Sequence, residues 1–427
     1  MKFKTDYETF RGAIATIGKA VKKNGINEMA VVKMEVKGNI LELSTNGNIG
    51  CIVQVELTDG EDGEFVVSFS ELNIFSLRKC TGKISASSSD DGNAMTMMYR
   101  DGNAKTVLTR VDVVFNDVAK PEKDTPKVAL PFATLKKMVA ETIFAASREE
   151  TNAGYGVHLN IREDEDGLLA LTITCLDGLR VAQRTAYAVK NGDYTGTVIV
   201  PPEQFKTMID IVDASDDDAN IDITIDSGKL YMDYSKKHVC IPVLDKKYPA
   251  VQRMIDGEIG KDACKFSITI AKRDFIESIS CVQYVLQETG ASGVNSSAML
   301  KFKEKELEIG GIGLSQYGEK IEAETVGEVP EPAYFNPDFL KEAASIYPKD
   351  KITIGVIGPK APIWMCCGDS NEYVYCVLPR KRESDKNRKV NIIKKQEGSP
   401  LAFFNLARFV NLSEIDNSPA LPESLPE

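Results

Sequence analysis

Histidine and tryptophan are nearly missing: the 427 residues hold two histidines, His158 and His238, and one tryptophan, Trp364. So few imidazoles leave little room for histidine-based acid–base chemistry or metal binding. His158 lies in Gly156-Val-His-Leu-Asn-Ile, where alternation marks a strand, and reads as an ordinary surface or core residue. The nine cysteines, at 51, 80, 175, 240, 264, 281, 366, 367 and 376, contain no CxxC spacing, which excludes a zinc ribbon. Their odd number and scatter fit no disulfide framework, so reduced thiols in a cytosol are expected. Also missing are a P-loop, GxSxG, HExxH, and HxE with paired cysteines. No apolar run reaches the roughly 18 residues a spanning helix needs. Met1-Lys-Phe-Lys-Thr-Asp has no apolar signal core, so a chain that stays soluble inside the cell is expected.

What is present is ordinary globular material, 43% hydrophobic and 27% charged. That is too apolar for disorder, and the length suggests two to four domains at roughly 100 to 200 residues each. The net charge of -11 weighs against nucleic acid, but steering depends on where charge sits rather than on its sum.

A unit recurs. Phe65-Val-Val-Ser-Phe-Ser-Glu-Leu, Val198-Ile-Val-Pro-Pro-Glu-Gln-Phe and Ala333-Tyr-Phe-Asn-Pro-Asp-Phe-Leu each give a short apolar strand, a turn or N-cap residue and a helix. Each is followed by alternating strand sequence, Lys83-Ile-Ser-Ala-Ser, Asn220-Ile-Asp-Ile-Thr-Ile and Lys351-Ile-Thr-Ile-Gly-Val. A related helix opens each unit: Tyr7 to Val21, Phe132 to Ala146 and Lys272 to Leu286. The first of these places Phe10, Ile14, Ile17 and Val21 on one face. The pattern predicts α+β domains near 1–127, 128–257 and 263–382, each built from two strand–helix–strands half-units, followed by an extension, 383–427.

The exposed faces of these helices carry Arg11, Lys19, Lys22 and Lys23 in the first unit, and Lys136, Lys137 and Arg148 in the second. The third unit carries Lys272, Arg273, Lys341 and Lys349. For any one helix a solvated face is the simpler explanation, whereas recurrence in all three units points to a shared surface for a polyanion. The acidic runs Glu163 to Asp166 and Asp213 to Asp218 lack the alternating ligands and closing Glu of a calcium loop and read as turns. Cys366-Cys367 beside Trp364 reads as a buried strand rather than a redox site. With no catalytic constellation, cofactor or metal set, the expectation is a non-catalytic binding or scaffold protein.

Several stretches resemble one family. Thr174-Cys-Leu-Asp-Gly-Leu-Arg-Val-Ala is similar to the central T-D-G-H-R-L-A signature of the bacterial sliding clamp, the β subunit of the replicative DNA polymerase III. Lys247-Tyr-Pro-Ala-Val-Gln-Arg-Met resembles its G-x-[FY]-P-x-[YF] block, and Tyr375-Cys-Val-Leu-Pro-Arg-Lys its closing Y-V-[VI]-M-P-[MV]-R. The Met1-Lys-Phe start and Phe335-Asn-Pro-Asp-Phe-Leu, like F-N-x-x-Y-L, agree, and the likeness runs from residue 1 to about 382.

The resemblance implies a DNA-clamp fold. It further implies a head-to-tail homodimer closing a ring around double-stranded DNA, with helices inside, antiparallel sheets outside and no membrane partner. The DNA-facing residues would be Lys22, Lys23, Arg78, Lys137, Arg148 and Lys206. A pocket for short peptides of the replicative polymerase, the clamp loader and other partners would be lined by Leu176, Gly178, Leu179, Arg180 and Val181, by Pro249, Arg253 and Met254, and by Pro362, Val377, Leu378, Pro379 and Arg380. Three positions depart from the family pattern: Leu176 replaces the usual Thr, Leu179 the usual His, and Arg380 stands where an apolar residue is common. The competing reading is a clamp-fold scaffold or inhibitor that has lost DNA tethering. In the extension, Ser399 to Val410 is apolar enough to require burial, either as a helix on the third domain or in the pocket near Val181, Pro249 and Leu378.

Overall fold

Six times among the described residues a short strand runs directly into a helix. Lys2–Asp6 leads to Tyr7–Val21, Gly63–Ser68 to Phe69–Leu72 and Ile74–Leu77, and Lys127–Pro131 to Phe132–Thr142. Gly196–Val200 leads to Pro202–Val212, Phe266–Ala271 to Lys272–Gln287, and Ala333–Phe335 to Pro337–Ile346. The switches have local causes. The Asp6 side chain accepts from the Thr9 backbone N–H and that of Asn336 from Asp338, while Pro202 and Pro337 occupy first-turn positions where no N–H is needed. Behind the Asp6 cap, Phe10, Ile14, Ile17 and Val21 are all buried.

Two helices differ from expectation. The one after Gly63–Ser68 is split at Asn73, where the Ser76 hydroxyl bonds back to the Asn73 carbonyl oxygen at 2.8 Å, a local bond that competes with the helical ladder. The helix predicted to reach Ala146 stops at Thr142 and tightens into a 3-10 turn, Ile143–Ala145.

The computed structural model describes residues 1–22, 30–164, 166–191, 195–213, 219–287, 297–312, 316–367 and 372–380. Lys23, the acidic run 214–218 and the extension, with its Ser399 to Val410 segment, lie outside the described residues. The chain forms two compact units: the first comprises Met1–Ile143, Gly156–Thr174 and Thr185–Lys246, the second Phe144–Tyr155, Cys175–Arg184 and the chain from Lys247 on.

In the first unit a five-stranded sheet runs Asp59–Glu61, Lys2–Asp6, Lys83–Ser88, Ala94–Tyr99, Ala104–Thr109. A nine-stranded sheet runs Val189–Asn191, Lys127–Pro131, Asn220–Asp226, Lys229–Tyr234, Lys237–Pro242, Gly50–Glu56, Ile40–Thr45, Val31–Lys37, Gly63–Ser68. Its central seam pairs His238 with Ile52 and so joins the first and second thirds of the sequence in one antiparallel ladder. The helices Tyr7–Val21 and Pro202–Val212 pack on each other, and the Lys19 and Lys237 ammonium groups donate to the Asp210 and Val212 carbonyl oxygens, neutralising the negative end of the second helix.

A strap between the strands Ala104–Thr109 and Lys127–Pro131 is tied to the nine-stranded sheet. Val118 packs with Ile52, Tyr231 and Cys240. Asn46 donates to the Asn116 and Asp117 carbonyl oxygens, each at 3.1 Å, and His238 Nε2 donates to that of Ala119 at 2.9 Å. The other ring nitrogen of His238 lies 2.6 Å from an Asp233 carboxylate oxygen.

In the second unit residues 180–184 pair with Tyr373–Val377, and the sheet continues through Ile363–Cys367, Lys351–Val356, Phe266–Ala271, Gln316–Gly327, Glu306–Ile312, Ala298–Lys303 and Ala333–Phe335. Lys272–Gln287 and Pro337–Ile346 lie against each other, linked by Gln283 donating to Asp338 at 2.6 Å and Lys341 to Gln283 at 3.0 Å. The architecture is α+β, with helices beside antiparallel sheets. No helix among the described residues is long and apolar enough to cross a membrane.

Candidate functional site

The segment Leu176-Asp177-Gly178-Leu179-Arg180-Val181 folds as a tight turn because Asp177 organises it. Its Oδ1 accepts from the backbone N–H groups of Leu179 at 2.9 Å and Arg180 at 3.1 Å, while Gly178 takes φ 94°, a conformation that favours glycine. The Leu179 carbonyl oxygen accepts from Leu378 N–H at 2.9 Å, which brings the two sequence blocks side by side. Beyond the turn, Arg180 pairs with Val377 and Val181 with Cys376.

That register divides the predicted lining between the two faces of the sheet. On the Val181 face a buried apolar cluster gathers Leu176, Val181 and Met254 with Val251, Ile255, Trp364, Val374 and Cys376. Trp364 Nε1 donates to the Ile259 carbonyl oxygen at 2.9 Å. Gly154 permits close approach here, since a Cβ on it would meet Leu176 Cδ1 at 2.7 Å. Gly178, Leu179 and Pro249 are half-buried and Arg253 is exposed, so these four are open to a ligand. The thiols at the edge are unreactive in character: burial pushes Cys366 up to about 12 and Cys264 to about 11.

On the other face lie Arg180 and Val377. Arg180 Nε donates to Asp177 at 2.9 Å, Nη2 to the Phe144 carbonyl oxygen at 2.7 Å and Nη1 to the Glu342 carboxylate. The rings of Phe144 and Phe339 stand 5.3 and 4.0 Å from its guanidinium carbon. Phe144 also stacks on Tyr375, whose phenol is pushed up by burial and donates to the Phe339 carbonyl oxygen. Pro362 and Leu378 are buried and Pro379 half-buried. Arg380 is half-buried, its N–H donating to the Tyr334 carbonyl oxygen, and burial lowers its guanidinium pKa against the opposing effect of Asp338.

Val251, Ile255, Trp364 and Cys376 were absent from the predicted lining. The first two share helical spacing with Met254, and the last two lie opposite each other on neighbouring strands. The helical spacing is readable in sequence; the strand register is not.

The basic residues are placed as follows. In the first unit Lys22 caps the end of Tyr7–Val21, Lys206 lies on Pro202–Val212, Lys137 on Phe132–Thr142, and Arg78 follows Ile74–Leu77; all four are exposed. Lys137 stands 3.9 Å from Glu141. Arg148, in the second unit, is exposed as well. Within the third sequence repeat, Lys272 donates to the Tyr347 carbonyl oxygen and Arg273 pairs with Glu277, so both are engaged locally. Among the described residues no cluster of His, Cys, Asp and Glu could hold a metal ion.

Residues 129–250 match the family model described as DNA polymerase III beta subunit, central domain. The beta sliding clamp of Rickettsia bellii (strain RML369-C) is 22% identical over 380 residues, covering 84% of this chain and 94% of the relative. The central part of the chain thus carries the central domain of the DNA polymerase III beta subunit family, and the likeness to a beta sliding clamp extends over 380 residues. The beta sliding clamp of Bacillus subtilis (strain 168) is 21% identical over 292 residues, 67% of this chain and 73% of that one. Among solved structures, the Bacillus subtilis DNA polymerase sliding clamp superposes with a TM-score of 0.79 at 18% identity, covering 90% of this chain and all of that one (100%). The Thermotoga maritima DNA polymerase III beta subunit superposes with a TM-score of 0.76 at 16% identity, again covering 90% and 100%. The fold is therefore the clamp fold.

Proposed function

We propose that the protein is a DNA sliding clamp, a non-catalytic processivity factor that encircles duplex DNA and tethers the replicative polymerase. The carrying observation is the exposure of Lys22, Lys137 and Lys206 on separate helices of a clamp-family chain whose net charge is -11. Exposed lysines on helices suit contact with phosphates, and contact with phosphates alone gives attachment without sequence preference. In this reading the chain has three domains, 1–127, 128–257 and 263–382, and two copies join head to tail into a closed ring. The surface over Leu176, Val181, Met254 and Trp364, rimmed by Gly178, Leu179, Pro249 and Arg253, receives short peptides of the polymerase, the clamp loader and other partners, as an apolar patch with a few polar groups at its edge can.

The test is topological. Protein loaded onto a nicked circular plasmid should co-elute with it on gel filtration and be released when the plasmid is cut once. Equal retention on linear and circular DNA would replace encirclement with ordinary surface binding, and no retention on either would favour a clamp-fold scaffold that has lost DNA.

A further inference from the structure

Arg180 belongs to the lining that the resemblance implies, yet its guanidinium is used inside the unit. Its side chain is 9% exposed, three of its N–H groups bond to Asp177, Phe144 and Glu342, and two aromatic rings lie against it. The turn that it holds is the rim of the site. Asp177 receives Arg180 Nε on one oxygen and the N–H groups of Leu179 and Arg180 on the other, so the same carboxylate anchors the side chain and shapes the backbone. Leu179 has both backbone groups engaged, its N–H by Asp177 and its carbonyl by Leu378.

Building on the reading of this surface as the partner-peptide site, we propose that Arg180 is a positioning residue for it. Glu342 and Phe339, on the helix Pro337–Ile346 and outside the apolar cluster, then act through Arg180 on the rim formed by Gly178 and Leu179. Only a planar fork can reach acceptors in three directions while lying against aromatic rings; a lysine ammonium cannot reproduce that set. The rim therefore meets a peptide with the Leu179 side chain, while the Arg180 guanidinium is held on the face of the sheet opposite Val181, which selects an apolar anchor at that position.

The test combines two readouts on Glu342→Gln, Phe339→Leu, Arg180→Lys and the Arg180→Lys/Glu342→Gln double variant. The first is hydrogen exchange of the Leu179 and Leu378 amides; the second is the affinity of a fluorescent pentapeptide carrying a leucine–phenylalanine anchor. Each single variant should speed exchange at both amides and weaken the peptide about fivefold, and Glu342→Gln should add nothing once Arg180 is lysine. Wild-type exchange at these amides in Glu342→Gln would overturn the proposal, as would an undiminished Glu342→Gln effect in the Arg180→Lys background. Failure of the wild-type protein to bind the peptide would instead count against the partner-site reading, while exchange still decides whether Arg180 holds the turn.

Discussion

The Trp364 indole donates to the Ile259 carbonyl oxygen at 2.9 Å, and this bond ties the strand Ile363–Cys367 to the segment that follows the helix Val251–Ile255. The ring itself is 1% exposed, so the one tryptophan of the chain is both the centre of the apolar cluster and its polar tie.

Trp364→Phe keeps an aromatic ring but removes the donor, leaving the Ile259 carbonyl without its partner. A loss of about 1–3 kcal/mol is expected from the missing bond and the smaller ring. Urea unfolding followed by far-ultraviolet circular dichroism measures it, and an unchanged midpoint would mean that the bond contributes nothing.

Leu176→Thr introduces the residue usual in the family at a position that here is 4% exposed and packed against Gly154. The hydroxyl would be buried and apolar volume lost, at a cost of about 2 kcal/mol. The same measurement applies. A neutral result would show that water reaches the position.

Replacing Lys22, Arg78, Lys137 and Lys206 together by Glu should weaken DNA association without unfolding the chain, because all four side chains are exposed. Each phosphate contact removed should lower the slope of log affinity against log salt by about 0.9. Filter binding between low and physiological salt reads the slope, and an unaltered slope would exclude these residues from the DNA surface.

Alkaline pH should destabilise the protein through its buried thiols. Burial raises Cys51 and Cys366 from the ordinary 9.0 to about 12, and Cys264 to about 11. Between about pH 9 and pH 12 the unfolded chain releases protons that the folded chain keeps, so the stability present below pH 9 falls as pH rises through this window. Urea midpoints at pH 8 and pH 10 should differ in that direction. At pH 8 the exposed Cys281 should react with a thiol reagent before Cys51, Cys366 and Cys376.

The helix Tyr7–Val21 was legible from its apolar stripe, and the Asp6 cap seen in the structure explains why it begins where it does. The break at Asn73 was not, since a side-chain bond from Ser76 decided it and composition gives no sign of such a bond. The site shows the same contrast. The turn at Leu176 to Val181 and the blocks at Pro249 and Val377 were found from motifs, but which of their residues share a face depends on strand register. Pairing Val181 with Cys376, rather than with Val377, sends Arg180 to the opposite side and brings in Trp364. A shift of one residue would have reversed both.

The seam between Lys237–Pro242 and Gly50–Glu56 makes covalent continuity dispensable over the strap that links the first two sequence thirds. A protease that cuts near the exposed Val114 would sever the chain yet release no fragment, because backbone bonds on both sides of the seam, with Val118 seated on Ile52 and Tyr231, still bind the halves. The two thirds should then run as separate pieces on a denaturing gel and stay together in native buffer.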